Sequence, residues 1–289
     1  MHVLISGGTG LIGQALSKSL LEDGHDVTVL TRAMHKAFLP KGAKTLKWDG
    51  RTIEGWAESI EHSDVVVNLA GENLAGSGLL PQRWTDDQKR RIRDSRLHAG
   101  DALSRAIAAA TQVPRVLIQA SGVGYYGPLG DEIATEEHRE GDDFLARLAV
   151  DWEASTATVE QREVRRAIIR TGAVLSTRGG ALPKLVLPYR LFAGGPLGSG
   201  RQYISWIHID DEVAAIRYLI ENEDASGPFN LVAPNPLTNA EFGNTIGRVL
   251  HRPSLFPTPA FALKLLLGEV STLVLDGQRA LPRRLQALG

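Results

Sequence analysis

The 289-residue sequence contains no cysteine. That absence rules out disulfides, thiolate nucleophiles and zinc–sulfur sites together. The chain also lacks an excess of either charge: 32 Lys and Arg stand against 33 Asp and Glu, for a formal net charge of −1. So balanced a chain generates no long-range field to gather nucleic acid or an anionic membrane surface. A local basic run such as Lys89-Arg90-Arg91 lies inside a helical pattern and reads as a solvated face. No basic n-region precedes the first apolar run, Val3-Leu4-Ile5, which is too short for a signal peptide. The longest greasy stretch, Phe261 to Leu275, is broken by Lys264, Gly268 and Glu269. It is too interrupted to span a bilayer and predicts a buried helix pair. A cytoplasmic globular protein with no nucleic-acid, membrane or metal partner is the expectation.

What is present is an ordinary globular composition, 43% hydrophobic and 22% charged. The first half alternates β-branched runs with helical patterns, the signature of a parallel sheet covered on both faces. Strands are predicted at Val3 to Ser6, Asp26 to Leu30, Asp64 to Leu69, Arg115 to Ala120 and Val164 to Arg170, which closes the series. Helices are predicted from the glycine turn to Leu21, from Pro81 to Thr111 and from Asp142 to Gln161. After Thr171 the texture changes. Glycines at 179, 180, 194, 195, 198 and 200 and nine prolines between 188 and 282 mark a smaller, loop-rich part. The expected fold class is α/β, a Rossmann-type doubly wound parallel sheet with a smaller C-terminal α/β lobe. Residues 1–174 form the dinucleotide domain, 208–226 return to it as a helix opened by Asp210-Asp211, and 175–207 with 227–289 form the substrate-side lobe.

The strongest motif is Gly7-Gly8-Thr9-Gly10-Leu11-Ile12-Gly13. Glycine triplets are weak evidence alone, but this one follows a strand, opens an amphipathic helix and has a second strand at the right distance. Gly7 permits the tight turn, Gly10 lets a pyrophosphate approach the backbone, and Gly13 lets the helix sit close to the sheet. The first-turn amides then face the phosphates at the positive end of the helix dipole. A purely structural strand–helix turn is the plainer alternative. An NAD site places an acid at the end of the second strand, about 20 residues past the glycines, to hold the ribose hydroxyls. Here the segment reads Val29-Leu30-Thr31-Arg32. Arg32 can grip a 2′-phosphate with charge-assisted hydrogen bonds and Thr31 can add another, so NADP(H) is the expected cofactor. A solvent-exposed arginine at a strand end is the bland alternative.

With these residues in view, the sequence resembles an extended short-chain dehydrogenase/reductase, the superfamily of nucleotide-sugar epimerases. More narrowly, it is similar to the atypical epimerase-family proteins of the bacterial YfcH type. The runs that carry the resemblance are Asn68-Leu69-Ala70-Gly71-Glu72-Asn73, Gly124-Tyr125-Tyr126-Gly127, Gly194 to Gly200, Trp206 to Asp211 and Ala233 to Phe242. The resemblance implies that Asn68, Leu69, Ala70 and Gly71 line the adenine and ribose, and that Arg96 contacts the cofactor from the long helix beneath it. A surface arginine is the alternative for Arg96. Family members continue for several residues beyond Gly289, so the tail is expected to differ or to end early here.

The departure from the resemblance concerns catalysis. The superfamily uses a Tyr-x-x-x-Lys pair, in which a lysine one helical turn away lowers the tyrosine pKa. Aligning Glu153 with the glutamate that follows the lysine puts Leu145 at the tyrosine position and Ala149 at the lysine position. Counting back from Tyr126 puts Gly122 at the partner serine, with Ser121 one residue away. The candidates for replacing the pair are Ser121, Tyr125, Tyr126 and His208, with the fold expected to bring His208 or Arg201 beside the tyrosines. Each has a plain alternative: pocket wall for the tyrosines, a brace for the returning helix for His208. Trp84, Trp152 and Trp206 read as packing, and the glycine loop ending in Arg201 as either a lid over an anion or a connector. Two functions stay open. One is an NADP(H)-dependent oxidoreductase or epimerase of a small polar, sugar-like or nucleotide-linked substrate, working through a nonstandard proton donor. The other is a catalytically silent NADP(H)-binding sensor or assembly protein.

Overall fold

A computed structural model describes residues 1–34, 39–76, 78 and 81–289. Strand β1 (His2–Ser6) carries the continuous apolar run Val3-Leu4-Ile5 because both of its faces are covered, and all three side chains are fully buried. It leads through the glycine turn into α1 (Leu11–Glu22), β2 (Asp26–Thr31) and β3 (Lys44–Lys47). Then come β4 (Val65–Asn68), the long α2 (Asp86–Ala109), β5 (Val116–Gly122), the short β6 (Ile133–Ala134), α3 (Phe144–Ala154) and β7 (Arg165–Thr171). The rest comprises β8 (Ala173–Ser176), β9 (Gly179–Gly180), α4 (Leu182–Arg190), β10 (Tyr203–Ile204), β11 (Trp206–His208), α5 (Ile209–Glu221) and β12 (Gly227–Leu231). It ends with β13 (Leu237–Thr238), α6 (Asn239–Leu250), α7 (Ala260–Leu267), α8 (Thr272–Leu275), β14 (Arg279–Ala280) and α9 (Arg283–Ala287).

Seven strands form one sheet in the order β12-β7-β5-β4-β1-β2-β3, with every neighbouring pair parallel. The order reverses at β1, so a crevice opens above the carboxyl ends of β1 and β4, where sheets of this kind take their ligands. One core layer packs Val3, Ile5, Val29, Val65 and Val67 under α1 and α5, using Leu16, Leu20, Ile216 and Leu219. The opposite layer packs Leu4, Val66 and Leu117 against Ala99, Leu103 and Ile107 of α2, with Trp48 and Trp56 filling the edge.

The Rossmann-type expectation holds, with four differences of detail. The strand series does not close at β7: β12 adds a seventh strand, hidden in the sequence by its Gly227-Pro228 start. Proline lacks a donor but is tolerated on an edge strand, and β12 is an edge. The opposite edge, β3, is also missing from the sequence reading, because its Lys-Thr-Leu-Lys run has little apolar signal. Helix α3 stops at Ala154 and a 3₁₀ turn follows over Ala157–Arg162. Ser155 turns its hydroxyl back onto the Trp152 carbonyl at 2.7 Å, a local bond that competes with helix continuation. Finally, Phe261 to Leu275 is not a buried helix pair. Helix α7 is apolar apart from Lys264 but has core on one side only, leaving Phe261 74% and Leu265 75% exposed while Leu267 is buried. Among the described residues no helix is long and apolar enough to cross a membrane.

Three small sheets flank the carboxyl edge: β11-β8-β9, β10-β13 and β14-β6. The β8–β9 hairpin lies over Leu11 at the start of α1, where an added Cβ on Gly180 would stand 3.0 Å from Leu11 Cδ2. The glycine loop from 194 to 200 is pinned rather than free. Leu197 bridges Thr258, the Gly198 amide donates to Thr258 O at 2.8 Å, and the Ala240 amide donates to Gly200 O at 2.9 Å.

Candidate functional site

The glycine turn is built from three different steric demands. Gly7 has φ +70°, and a Cβ there would stand 2.4 Å from the Leu69 carbonyl oxygen, so the loop after β4 rests directly on it. At Gly13 a Cβ would meet the Gly8 backbone at 2.5 Å, which is the close packing of α1 against the turn. Gly10 is different: its φ is −77° and a Cβ would meet only Gly7 O, at 3.3 Å. The space in front of Gly10 is therefore open. Thr9 and Gly10 are exposed and Leu11 and Ile12 half-buried. No side chain caps the N-terminus of α1, so its orphan amides are free to receive an anion.

Beside the turn, Thr31 is buried and its hydroxyl accepts from the Ala33 amide at 3.2 Å, shaping the bend after β2. Arg32 is exposed, and among the described residues no ion pair engages it. Asn68 is fully buried and spent internally. Its Oδ1 accepts from Ser6 Oγ at 2.6 Å and its Nδ2 donates to Gln119 Oε1 at 2.9 Å, a polar row across three parallel strands. That row fixes the path of Leu69, Ala70 and Gly71 over the crevice. Arg96 is only 7% exposed and reaches up from α2 until its guanidinium carbon would stand 3.0 Å from a Cβ on Gly71. Its plane lies 4.8 Å from the Trp152 ring, Nη1 donates to Ile92 O at 2.9 Å, and Nε has no partner. Burial pulls its pKa down to about 10, partly offset by Glu72. A buried cation with an unspent donor costs several kcal/mol unless an anion or acceptor completes it. An open cradle, uncapped amides and a guanidinium with an unspent Nε fit a dinucleotide diphosphate and its ribose.

The four proton-donor candidates fall into different surroundings. Parallel pairing sets Ser121 of β5 beside Arg170 of β7, and both side chains meet Glu153 of α3. Ser121 Oγ donates to Glu153 Oε1 at 2.7 Å, while Arg170 binds Glu153 with Nε and Nη2, each at 2.9 Å. Arg170 Nη1 also donates to the Tyr126 hydroxyl at 3.2 Å, which itself donates to Asn230 Oδ1 of β12 at 2.7 Å. Ser121 and Tyr126 are thus buried and fully engaged. Burial raises the Tyr126 phenol against the pull of Arg170.

Tyr125 is half-buried, with the Arg170 guanidinium 3.4 Å from its ring centroid and its hydroxyl 3.3 Å from Glu140 Oε2. Burial raises its pKa, Arg170 opposes, and Glu153 and Glu140 add to the rise, leaving it above the ordinary phenol value. His208 caps α5, its Nδ1 accepting from the Asp210 amide at 3.3 Å. Arg201 is 83% exposed and faces Asp131 at 3.9 Å. The cation beside the tyrosines is therefore Arg170, where the sequence pointed to His208 or Arg201. Nothing local signals it: Arg170 lies 44 residues from Tyr126 and 17 from Glu153. Burial works against its charge, but the hydrogen bonds and charge of Glu153 outweigh that and hold the guanidinium protonated.

Leu145 and Ala149, at the positions of the absent Tyr and Lys, are apolar packing, Leu145 beside Trp84, Phe144 and Leu148, and Ala149 5% exposed. Trp84 is packing too, edge-on to Phe144 at 5.0 Å with its Nε1 donating to Leu74 O.

Known proteins agree with this architecture. Epimerase family protein YfhF of Bacillus subtilis is 40% identical over 287 residues, covering 98% of this chain and 91% of its own. Human epimerase family protein SDR39U1, solved with NADPH, is 34% identical with a TM-score of 0.85, over 99% of this chain and 93% of that one. A nucleoside-diphosphate sugar epimerase from Corynebacterium glutamicum is 37% identical with a TM-score of 0.78, over all of this chain and 54% of that one. Residues 258–289 match a domain of unknown function, DUF1731. Residues 3–232 match the NAD dependent epimerase/dehydratase family across the whole sheet and its crevice, and the chain belongs to that family.

Proposed function

We propose that the chain is an NADP(H)-dependent oxidoreductase or epimerase of the YfcH type, acting on a small polar, sugar-like or nucleotide-linked substrate. The observation that carries the reading is the uncapped N-terminus of α1, open at Gly10, together with the unpartnered Nε of Arg96 beside Gly71. Gly7, Thr9, Gly10, Leu11, Ile12 and Gly13 cradle the diphosphate. Thr31 and Arg32 hold the 2′-phosphate, Asn68 to Gly71 shape the adenosine side, and Arg96 completes the anion's coordination. NADP(H) rather than NAD(H) is supported by the exposed Arg32 and by the NADPH in the human relative. Residues 1–174 and 208–226, together with β12, hold the cofactor; the remaining C-terminal segments face the substrate.

The cofactor, when bound, supplies hydride exchange with a substrate carbon. Among the four candidates Tyr125 is best placed to give a proton or a hydrogen bond to the substrate oxygen, because Ser121 and Tyr126 are held by the Glu153–Arg170–Asn230 network and His208 Nδ1 caps α5. A phenol held neutral is an acid, and the Arg170 cation under its ring stabilises the phenolate left behind. Glu140 at the hydroxyl offers a path for reprotonation.

A second reading, an NADP(H)-binding sensor or assembly protein without turnover, is favoured by the apolar Leu145 and Ala149. One experiment separates them: single-turnover absorbance of bound NADPH against aldehydes, ketones and nucleotide sugars, with wild type and Tyr125→Phe. The enzyme reading expects decay that slows by about 10²–10⁴ in the variant. Steady absorbance with every substrate leaves the enzyme reading without support, and decay untouched by Tyr125→Phe, Ser121→Ala, Tyr126→Phe and His208→Gln removes these residues as donors.

A further inference from the structure

Glu212, on the first turn of α5, is fully buried. Its Oε1 accepts the Thr171 hydroxyl at 2.8 Å and its Oε2 has no partner. Nothing proposed above uses either residue. Their location follows from strand alternation. Ser121 and Arg170 are register partners whose side chains meet Glu153 on α3, so the next pair, Gly122 and Thr171, turns to the opposite face, where α5 packs. Thr171 is the last residue of β7 and half-buried at the carboxyl edge. Gly122, in the position of the family's serine, leaves space beside it: a Cβ there would meet nothing closer than Thr171 O at 3.7 Å.

The charged side chains on the elements around α5 are directed elsewhere. Arg170 is held by Glu153 on the other face, and Arg165 binds carbonyls at the far end of α5. Lys18 of α1 pairs with Glu22, His208 of β11 with Asp210, and Arg217 of α5 with Asp23. The burial of Glu212 is therefore unopposed except by the Thr171 bond, and it pushes the carboxyl up to about 8.

We infer that Thr171 and Glu212 form a proton relay that accepts the substrate's hydroxyl proton, standing in for the missing serine and Tyr–Lys pair. The inference rests on the NADP(H) reading and deepens it. In alcohol oxidation the substrate O–H breaks and its proton moves to Thr171 Oγ1. The proton Thr171 held moves at once to the Glu212 carboxylate, giving the neutral acid, and the hydrogen on the substrate carbon leaves with its electron pair to NADP⁺. Reduction runs the same bonds in reverse. Glu212 sits near neutrality and suits both directions, so the relay carries the proton of the reacting hydroxyl, and Tyr125, held neutral, is left to hydrogen-bond the same oxygen.

The test reads cofactor binding alone. Oxidised nicotinamide is a cation and reduced nicotinamide is neutral, so a carboxyl beside the ring ionises more readily when NADP⁺ is bound. Wild-type protein is expected to tighten on NADP⁺ relative to NADPH by about fivefold between pH 7 and 9, the share of a one-unit shift that falls in that window. It should also release protons into weak buffer at pH 7.5 on mixing with NADP⁺ and not with NADPH. Glu212→Gln should hold the affinity ratio constant with pH and abolish the release. Thr171→Val removes the only bond that holds the Glu212 carboxyl down, so it should move both effects to higher pH, with Thr171→Ser restoring them. A pH-independent ratio in wild type, or one that persists in Glu212→Gln, overturns the relay and leaves the NADP(H) reading standing. Failure of both cofactor forms to bind at any pH overturns that reading and the relay with it.

Discussion

Arg32 and Arg170 show how far one residue type departs from itself with position. Arg32 is exposed at the end of β2, free to bind whatever anion arrives. Its charge-assisted bonds to a 2′-phosphate are worth about 1.5–3 kcal/mol. Arg32→Ala is accordingly expected to erase a preference for NADPH over NADH of tenfold or more, measured by titrating both into each protein; equal affinities in wild type would refute the assignment. Arg170 is buried against Glu153, with 5% and 11% of the two side chains exposed. Replacing one partner strands the other's charge, at a cost of about 3–5 kcal/mol. Glu153→Gln should lower the unfolding free energy extrapolated from urea titration by that amount without changing cofactor specificity, and a loss under about 1 kcal/mol would mean that water reaches the pair. The first arginine was legible because its meaning lies in its neighbours along the chain, a strand end lacking an acid. The second was not, because Ser121, Tyr126, Glu153 and Asn230 come from four separate segments. Only the alignment of Glu153 hinted that this stretch of α3 mattered.

Among the elements, β1, the glycine turn, α1 and β2 were the most readable, since turn chemistry and apolar period agree over consecutive residues. The edge strands β3 and β12 were invisible for the opposite reason: Lys44, Lys47, Gly227 and Pro228 argue locally against strands that only the neighbouring strand creates. The same holds for α7, whose apolar composition gave no sign of which face the core would leave uncovered. Within the turn, Gly10 and Gly7 separate cleanly under mutation. Gly10→Val should abolish NADPH binding and melt normally, because its φ suits any residue and only the ligand's space is filled. Gly7→Ala should destabilise the fold itself by more than about 2 kcal/mol, combining a left-handed φ with a clash against Leu69. Thermal melts with cofactor titrations distinguish the two; retained affinity in Gly10→Val would make the turn purely structural.

At the scale of the whole molecule, the C-terminal residues are stitched back onto the sheet edge. Arg284 donates to Pro228 O and to Ser226 O at 2.7 Å each and lies 4.5 Å over the Phe229 ring. Asn230 Nδ2 donates to Leu281 O, Tyr218 donates to Leu288 O, and β14 pairs with β6. Glu136 ties the set together, its Oε1 accepting from the Asn230 and Arg284 amides. Removing residues 279–289 should uncover Phe229 and these polar groups and cost at least about 3 kcal/mol. An unchanged melting temperature would contradict it.

The same stitching orders events during synthesis. A ribosome makes β1 through β7 early, and their parallel pairings can form as they emerge, but the strap that covers β12 is translated only after β12 itself. Until residues 279–289 emerge, the outermost strand and the Tyr126–Asn230 end of the buried network stand uncovered, an open strand edge exposed to pairing with other chains. A stop ahead of Arg279 would prolong that window indefinitely, so its product should fail by aggregation and degradation even though every residue of the crevice had been made.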